Sequence, residues 1–530
     1  MDILVLLASR AGQVVSRDQI LDQIWKTRHV AESVLSRCIA ELREALGDDP
    51  GRPSYVETIP KRGYRLIAPA ADSAGVPGDA KRPSVLVLPF RDLSEKGDQQ
   101  YFCDGLAEQI INSLTRVRGL RVIGRNSAFL LRGDVRDLTR INKRIDVDKI
   151  LEGGVRKAGE QIRVTVELLD VAGECYVWSR SYEGTTGDIF NLQDEIALTV
   201  VEKLKLDLLD TERTRVAKRH TNDVEAHIWY LKGLLYWNQR TGEGIRLSRE
   251  CFETAIRQDP GYALPCVALA NSHSVAGFYG MVHPAECFPE ARRLVHKALA
   301  LDPDLAEAHA ALGWTTFLSD WDWPAAEASF RLALGLSPNY STTCVWYALA
   351  LSWVGRPDEA AGILERACVS DPLSPLLAVT RGVLLYQQGK FQAARDQFRG
   401  VLQVESNFSL AHFHLGRALV AAGDFERAAE HARNAIALGL PVAATVLAFA
   451  HAKAGRGSAA KAVLDETLAR SRTEYVSPAV VACMYLALGE PANARHWLAD
   501  AGRLRDPLLL QIRSDPLVKD LLPSDSERCV

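Results

Sequence analysis

The stretch YVETIPKRGYRL, Tyr55 to Leu66, reads as two short strands around a tight basic turn, Pro60-Lys61-Arg62-Gly63. Apolar and polar residues alternate on the way in, the two-residue period of a half-buried strand. Tyr64 and Leu66 can pack inward on the way out. Such a hairpin holds two cations at its tip. Upstream, Glu32 to Leu46 reads as a helix ended by Gly47-Asp48-Asp49-Pro50. Leu35, Ile39, Leu42 and Leu46 form its apolar side, and Ser33, Ser36, Arg37, Ala40 and Arg43 the opposite one. Ser16 is placed to cap an earlier helix, with Gln19 completing a capping box. Ile20, Leu21, Ile24 and Trp25 then share one helical face. Two helices and a hairpin supply a small core and leave a polar helix face and a basic tip uncommitted.

Helix, Gly-Asp-Asp-Pro loop and basic hairpin, in that order, resemble the DNA-binding half of the OmpR/PhoB-type winged-helix family. The resemblance covers residues 1–69 and makes Glu32–Leu46 the recognition helix. It implies that Ser33, Ser36, Arg37, Ala40 and Arg43 face the major groove of double-stranded promoter DNA, and that Lys61 and Arg62 lie on the wing at the minor groove. Whether Arg37 or Arg43 reads guanine edges or holds phosphates is open in the sequence. Lys26 to Ala31 matches the loop this family turns to RNA polymerase, and members bind tandem or palindromic sites as dimers, so self-association is expected. Two departures stand out. The antiparallel strands that open the family's domain are missing before Met1-Asp2-Ile3-Leu4, so either the true start lies upstream or the domain is truncated. Glu32, Glu41 and Glu44 on the recognition helix weaken its attraction for phosphate.

Residues 70–83, rich in Ala, Gly, Pro, Asp and Ser, read as a linker. Residues 84–209 read as an α/β domain. Strands are expected at Ser84–Phe90, Leu120–Ile123, Ile150–Val155, Gln161–Leu169 and Glu174–Tyr182, with helices at Tyr101–Val117, Leu138–Ile145 and Asp188–Leu206. Gly153-Gly154 reads as a turn in the strand region, without the surroundings of a phosphate loop. Asp104 and Glu108 lie one helical turn apart and read as a solvated face rather than an acid–base pair. The segment resembles the TolB-N-terminal-like or FlgO-like domain, which implies an adaptor or sensory role.

From about residue 222 to 505 the chain repeats itself. Ala326, Ala360, Ala394 and Ala428 are 34 positions apart, Ala460 follows after 32 and Ala494 after another 34. Gly355, Gly389, Gly423, Gly455 and Gly489 mark turns on the same period. Asp259-Pro260, Asp302-Pro303, Ser337-Pro338 and Asp371-Pro372 stop helices, while Ser406 replaces one such Pro. The pattern resembles tetratricopeptide repeats, about eight units from Asp223, with Gly277–Glu286 as an insertion. Repeats of this kind form a superhelix whose concave groove takes a protein or peptide ligand. Trp314, Arg381, His412 and Arg417 are candidate groove residues. Trp321 and Trp323 read as packing residues in a turn, and His412 and His414, two apart, as packing rather than a metal pair. Residues 506–530 read as a capping helix to Leu522 and a disordered tail from Ser524.

The fold class expected is therefore multidomain and mainly α: an N-terminal winged helix-turn-helix, an α/β middle domain and a C-terminal α-solenoid. At 530 residues with 47% hydrophobic and 24% charged residues, the composition is that of a soluble globular chain. Net charge is −3, so nucleic-acid contact must be local. No apolar run reaches the 18 residues of a membrane span, and Ile3–Leu7 lacks the basic flank of a signal peptide. Ten scattered cysteines fit reduced thiols, not a disulfide frame or zinc site. These features imply a cytoplasmic protein with no membrane partner, no cofactor and no metal. The function expected is a one-component bacterial transcription regulator, broadly similar to CadC-like and HilA-like regulators, with no receiver domain. The alternative is an interaction scaffold with a degenerate DNA-binding domain. An enzyme is disfavoured, because no nucleophile elbow, P-loop, metal cluster or kinase signature is present.

Overall fold

The computed structural model describes residues 3, 6–7, 14–21, 32–46, 48, 53, 55–59, 62–67, 83–115, 117, 119–132, 145–204, 220–338 and 340–522. The chain divides into two units, residues 1–81 and 82–530.

In the first unit, β1 (Val14–Val15) leads into α1 (Arg17–Ile20), then α2 (Glu32–Leu46) and a hairpin of β2 (Val56–Ile59) and β3 (Gly63–Leu66). The capping box forms: Ser16 Oγ accepts from Gln19 N at 3.2 Å, and Gln19 Oε1 from Ser16 N at 2.9 Å. The hairpin pairs Val56 with Leu66 and Ile59 with Gly63. β1, too short to show in the sequence pattern, pairs antiparallel with β3, Val15 opposite Tyr64. Ile3, Leu7, Val15, Ile20, Leu35, Ile39, Val56, Tyr64 and Leu66 close the core.

The second unit opens with a six-stranded sheet: β4 (Ser84–Val87), β5 (Arg91–Asp92), β6 (Arg121–Val122), β7 (Lys149–Ala158), β8 (Gln161–Asp170) and β9 (Cys175–Thr185). β4 lies between β6 and β7, parallel to both, and β7, β8 and β9 form an antiparallel meander. Helices α3 (Gln100–Leu114), α4 (Arg125–Leu130) and α5 (Ile189–Lys203) complete the α/β domain. Two expectations need correction. Gly153-Gly154 is no turn but the interior of β7, where a Cβ on Gly153 would sit 2.4 Å from the Thr165 carbonyl oxygen and 3.1 Å from the Phe90 ring. Asp104 and Glu108 are not a solvated face: Asp104 is buried and pairs with Arg132 at 2.6 Å, and Glu108 with Arg125 at 2.7 Å. A helix at α4 was not expected, while the one expected at Leu138–Ile145 falls almost wholly on residues outside those described.

Sixteen helices then pair into eight hairpins. They are α6 (Val224–Trp237), α7 (Gly242–Gln258), α8 (Ala263–Phe278), α9 (Pro284–Leu301), α10 (Ala306–Asp320), α11 (Trp323–Leu336), α12 (Ser341–Trp353), α13 (Pro357–Ser370), α14 (Pro375–Gln387), α15 (Phe391–Val404), α16 (Ser409–Ala421), α17 (Phe425–Ala437), α18 (Ala444–Lys453), α19 (Gly457–Arg470), α20 (Pro478–Ala487) and α21 (Pro491–Arg503). All six periodic alanines are fully buried, because only a methyl group fits where paired helices cross. Gly355, Gly389, Gly423, Gly455 and Gly489 take φ of 74–82°, the left-handed region a side chain resists. Asp259, Asp302, Ser337 and Asp371 are helix C-caps. The tail holds one short helix, α22 (Leu508–Ile512), and a 3₁₀ turn at Lys519–Leu521, where one helix to Leu522 was expected. Residues from Ser524 onward lie outside those described.

The array curls onto itself and onto the α/β domain. Gly242 N donates to the Leu438 carbonyl at 3.3 Å, so the turn after α6 reaches the sixth hairpin. Asp371, 3% exposed, takes Ser127 N at 2.8 Å, Ser127 Oγ at 2.5 Å and Asn126 Nδ2 at 2.9 Å from α4. Burial raises its pKa against the pull of these donors. Gly124 N donates to the Ser370 carbonyl at 2.7 Å, and a Cβ on Gly124 would stand 2.5 Å from Asp371 Cγ, so only glycine permits the approach. Asp371→Ala orphans the α4 donors and should cost about 1–3 kcal/mol. We expect faster amide hydrogen exchange in Arg125–Leu130 with helical circular dichroism retained; unchanged exchange there would show that the carboxylate does not hold the seam.

Candidate nucleic-acid interface

The helix α2 has two sides. Leu35 and Ile39 are buried, and Val34, Ser36, Arg37, Ala40 and Glu41 are exposed. Its far end is clamped to the hairpin by two side chains. Asp48, buried, accepts from Tyr55 N at 3.1 Å and Val56 N at 2.8 Å. Arg43 Nη2 donates to the Val56 carbonyl at 2.7 Å and to Thr58 Oγ1 at 2.9 Å. Helix and hairpin therefore move as one body. Gly63 makes the hairpin possible: its φ is 138°, and a Cβ there would lie 2.1 Å from the Val15 carbonyl oxygen.

The expected contact residues separate on this frame. Ser36, Arg37 and Ala40 share the exposed side of α2, with Ser33 one turn earlier on the helix backbone. Arg37 Nε lies 3.1 Å from Glu41 Oε1, in a pair whose side chains are 83% and 63% exposed. Such a pair is worth about 0–1 kcal/mol and opens readily to a competing anion. Arg62 is exposed at the hairpin tip, its N–H donating to the Ile59 carbonyl at 3.0 Å. Lys61 and the Lys26–Ala31 loop lie outside the described residues. Arg43 departs from expectation: it is half-buried and its guanidinium faces the hairpin, not the open side of α2. Sequence reasoning missed Asp48 as its partner in the clamp; the signal was an acidic residue directly after the Gly47 helix stop, placed to accept from free backbone donors.

The expected groove residues of the array are largely committed. Trp314 is buried and stacks on Trp346 with ring centroids 5.6 Å apart. His412 bonds His431, Nδ1 to Nδ1 at 2.8 Å, and donates from Nε2 to the Ser406 carbonyl at 2.8 Å. Arg417 is locked to Asp515 of the terminal segment at 2.7 Å, and Tyr386 donates to the same carboxylate at 2.7 Å. Arg381 is exposed. Among the described residues no cluster of three or more side chains could hold a metal, and no helix is long and apolar enough to cross a membrane.

Comparison with known proteins agrees with this organisation. Residues 1–66 match the C-terminal domain of transcriptional regulatory proteins, and residues 81–199 the second domain of HilA/YgeH-like transcriptional regulators. Residues 348–409, 409–434 and 441–466 match tetratricopeptide repeats. A putative adenylate cyclase 3 of Rhizobium meliloti is 30% identical over 319 residues, 58% of this chain and 47% of that protein. The transcriptional regulator HilA of Salmonella typhimurium is 24% identical over 403 residues, 75% of this chain and 71% of its own. The transcriptional activator CadC of Escherichia coli is 45% identical over 69 residues, 13% of this chain and 14% of its own. The chain thus spans about half the length of the first of these relatives and more than two thirds of the second.

The two arginines of α2 should respond oppositely to replacement. Arg43→Met leaves a buried carbonyl short of its donor and should destabilise the first unit by about 1–3 kcal/mol. Arg37→Met removes only an exposed pair and should shift stability by less than about 0.5 kcal/mol. Urea unfolding followed by a probe in the hairpin separates them; equal costs would contradict the clamp.

Proposed function

We propose that this chain, which belongs to the transcriptional-regulator family with an OmpR/PhoB-type DNA-binding domain, binds promoter DNA through α2 and the β2–β3 hairpin. The observation that carries the reading is the clamp of Arg43 and Asp48: it holds a polar helix face and a basic tip at one fixed spacing. Ser33, Ser36, Arg37 and Ala40 enter the major groove, with Arg37 exchanging Glu41 for a guanine edge or a phosphate. Lys61 and Arg62 hold phosphates flanking the minor groove. Arg43 sets the angle between helix and wing and reads no base. Lys26–Ala31 is the surface offered to RNA polymerase, and the protein binds its sites as a dimer. The repeat array serves protein contacts; with Arg417 and Trp314 committed internally, a partner reads exposed residues such as Arg381. We assign the chain to the cytoplasm and no catalytic reaction to it.

A scaffold whose DNA-binding domain has decayed is the second reading. It is favoured by one observation: both arginines expected to face DNA from α2 have partners within the protein, Arg37 in Glu41 and Arg43 in the hairpin.

The two readings separate in a salt titration of binding to duplex DNA selected from a random library by the full chain. Each phosphate contact contributes about 0.9 to the slope of log K against log salt. Lys61→Ala/Arg62→Ala should lower that slope by about 2 per bound protomer and weaken all sequences alike, whereas Arg37→Met should reduce discrimination between selected and random DNA. No salt-dependent binding by the unaltered chain, or slopes identical in both variants, would favour the scaffold.

A further inference from the structure

A cleft of about 120 Å³ lies where α4 meets the turn after α6, the start of α14 and the turn between α15 and α16. A water needs about 10–15 Å³ by the same measure, so the space suits a small organic molecule and not a folded segment.

Its polar lining is unusual in what it leaves unpaired. Arg125 is paired: Glu108 holds its Nε at 2.7 Å, and the guanidinium lies 4.0 Å over the Phe129 ring. Arg240 is not. Its backbone is fixed, with φ of 55° and a carbonyl that accepts from Ser409 Oγ at 3.1 Å. Its guanidinium lies 4.6 Å from the Trp237 ring but has no hydrogen bond or ion pair among the described residues. Burial lowers its pKa to about 10. Glu405, on the same cleft, is in the mirror situation: its carboxylate has no hydrogen-bond or ion-pair partner among the described residues, and burial raises its pKa. Glu405 stands 34 positions after Asp371, at the same helix C-cap one repeat on. The repeat that grips α4 with one carboxylate is thus followed by a repeat presenting another with nothing to grip.

Two half-buried charges of opposite sign attract one another across the cleft without forming an ion pair, and a ligand that bridged them would complete both. We propose that the cleft binds an α-amino acid with an apolar side chain. The carboxylate sits on Arg240, with the side-chain amide of Asn238 beside it; the ammonium sits on Glu405; Phe129 and Phe408 receive the side chain. A purely anionic ligand would leave Glu405 repelled, and a purely cationic one would leave Arg240 unpaired. The site joins the α/β domain to the first, fifth and sixth hairpins, so occupancy tightens the seam. It stands apart from the DNA-binding reading, since ligand and DNA are measured separately.

The test is isothermal titration calorimetry of the full chain against each of the twenty standard amino acids, with N-acetyl-leucine and leucine amide as probes of single charge. One or more of leucine, isoleucine, valine, methionine and phenylalanine should bind, and the singly charged leucine derivatives should bind at least about tenfold more weakly than leucine. Arg240→Met and Glu405→Gln should each weaken binding at least about tenfold, about 1.4 kcal/mol. A variant that fails to fold is recognised by its circular dichroism. In that case Arg240→Lys, which keeps the charge, replaces Arg240→Met and should bind less tightly than the parent while retaining selectivity over leucine amide. In Glu405→Gln, leucine and N-acetyl-leucine should become equal. The proposal is overturned if none of the twenty binds the unaltered chain, if N-acetyl-leucine binds it as tightly as leucine, or if folded variants bind like the parent.

Discussion

Asp371 is buried with no cation paired to it among the described residues, and the arrangement of residues 82–530 depends on how that charge is satisfied. Three donors from one short helix, Ser127 N, Ser127 Oγ and Asn126 Nδ2, converge on its two oxygens, and Ser127 Oγ in turn accepts from Leu373 N at 2.8 Å. A carboxylate in this setting is a selective socket. Hydrogen bonds to a charged group are worth about 1.5–3 kcal/mol each, while leaving the charge bare would cost more than any one of them. The α/β domain is therefore held at one register on the repeats, with Gly124 supplying the clearance.

The same device recurs at the far end of the array. Asp515 receives Arg417 and Tyr386, and Asp506, also buried, accepts from Ala479 N at 3.2 Å and Leu508 N at 3.1 Å. In each case an acidic side chain fixes one segment of the chain against the repeats. Residues that a free tetratricopeptide groove would offer to a partner are here spent on the chain's own segments.

Local signatures made the array legible in the sequence. A small residue at a helix crossing, a glycine at a left-handed turn and a helix-stopping Asp-Pro each act on their immediate neighbours, so their 34-residue spacing in the chain is their spacing in space. The helix α2 and the hairpin were legible for the same reason. What escaped were residues whose roles are set by partners far along the chain. Gly153 looks like a turn until β8 and Phe90 are placed against it. Asp104 and Glu108 look solvated until Arg125, at the start of α4, and Arg132, just after its end, fold back against them. Arg43 looks like an outward arginine until the hairpin folds under it, and Arg417 like a groove residue until a segment almost 100 positions later supplies Asp515. Charge and helical phase say which side a residue is on, not what will arrive there.

On the proposed function, the clamped helix and hairpin address promoter DNA in the cell. Chromatin immunoprecipitation with sequencing, comparing the tagged chain with its Lys61→Ala/Arg62→Ala variant at equal abundance, tests it most directly. Sharp peaks at promoters that share one motif and disappear in the variant are the predicted result. Peaks absent from both, or unchanged by the substitutions, would contradict it.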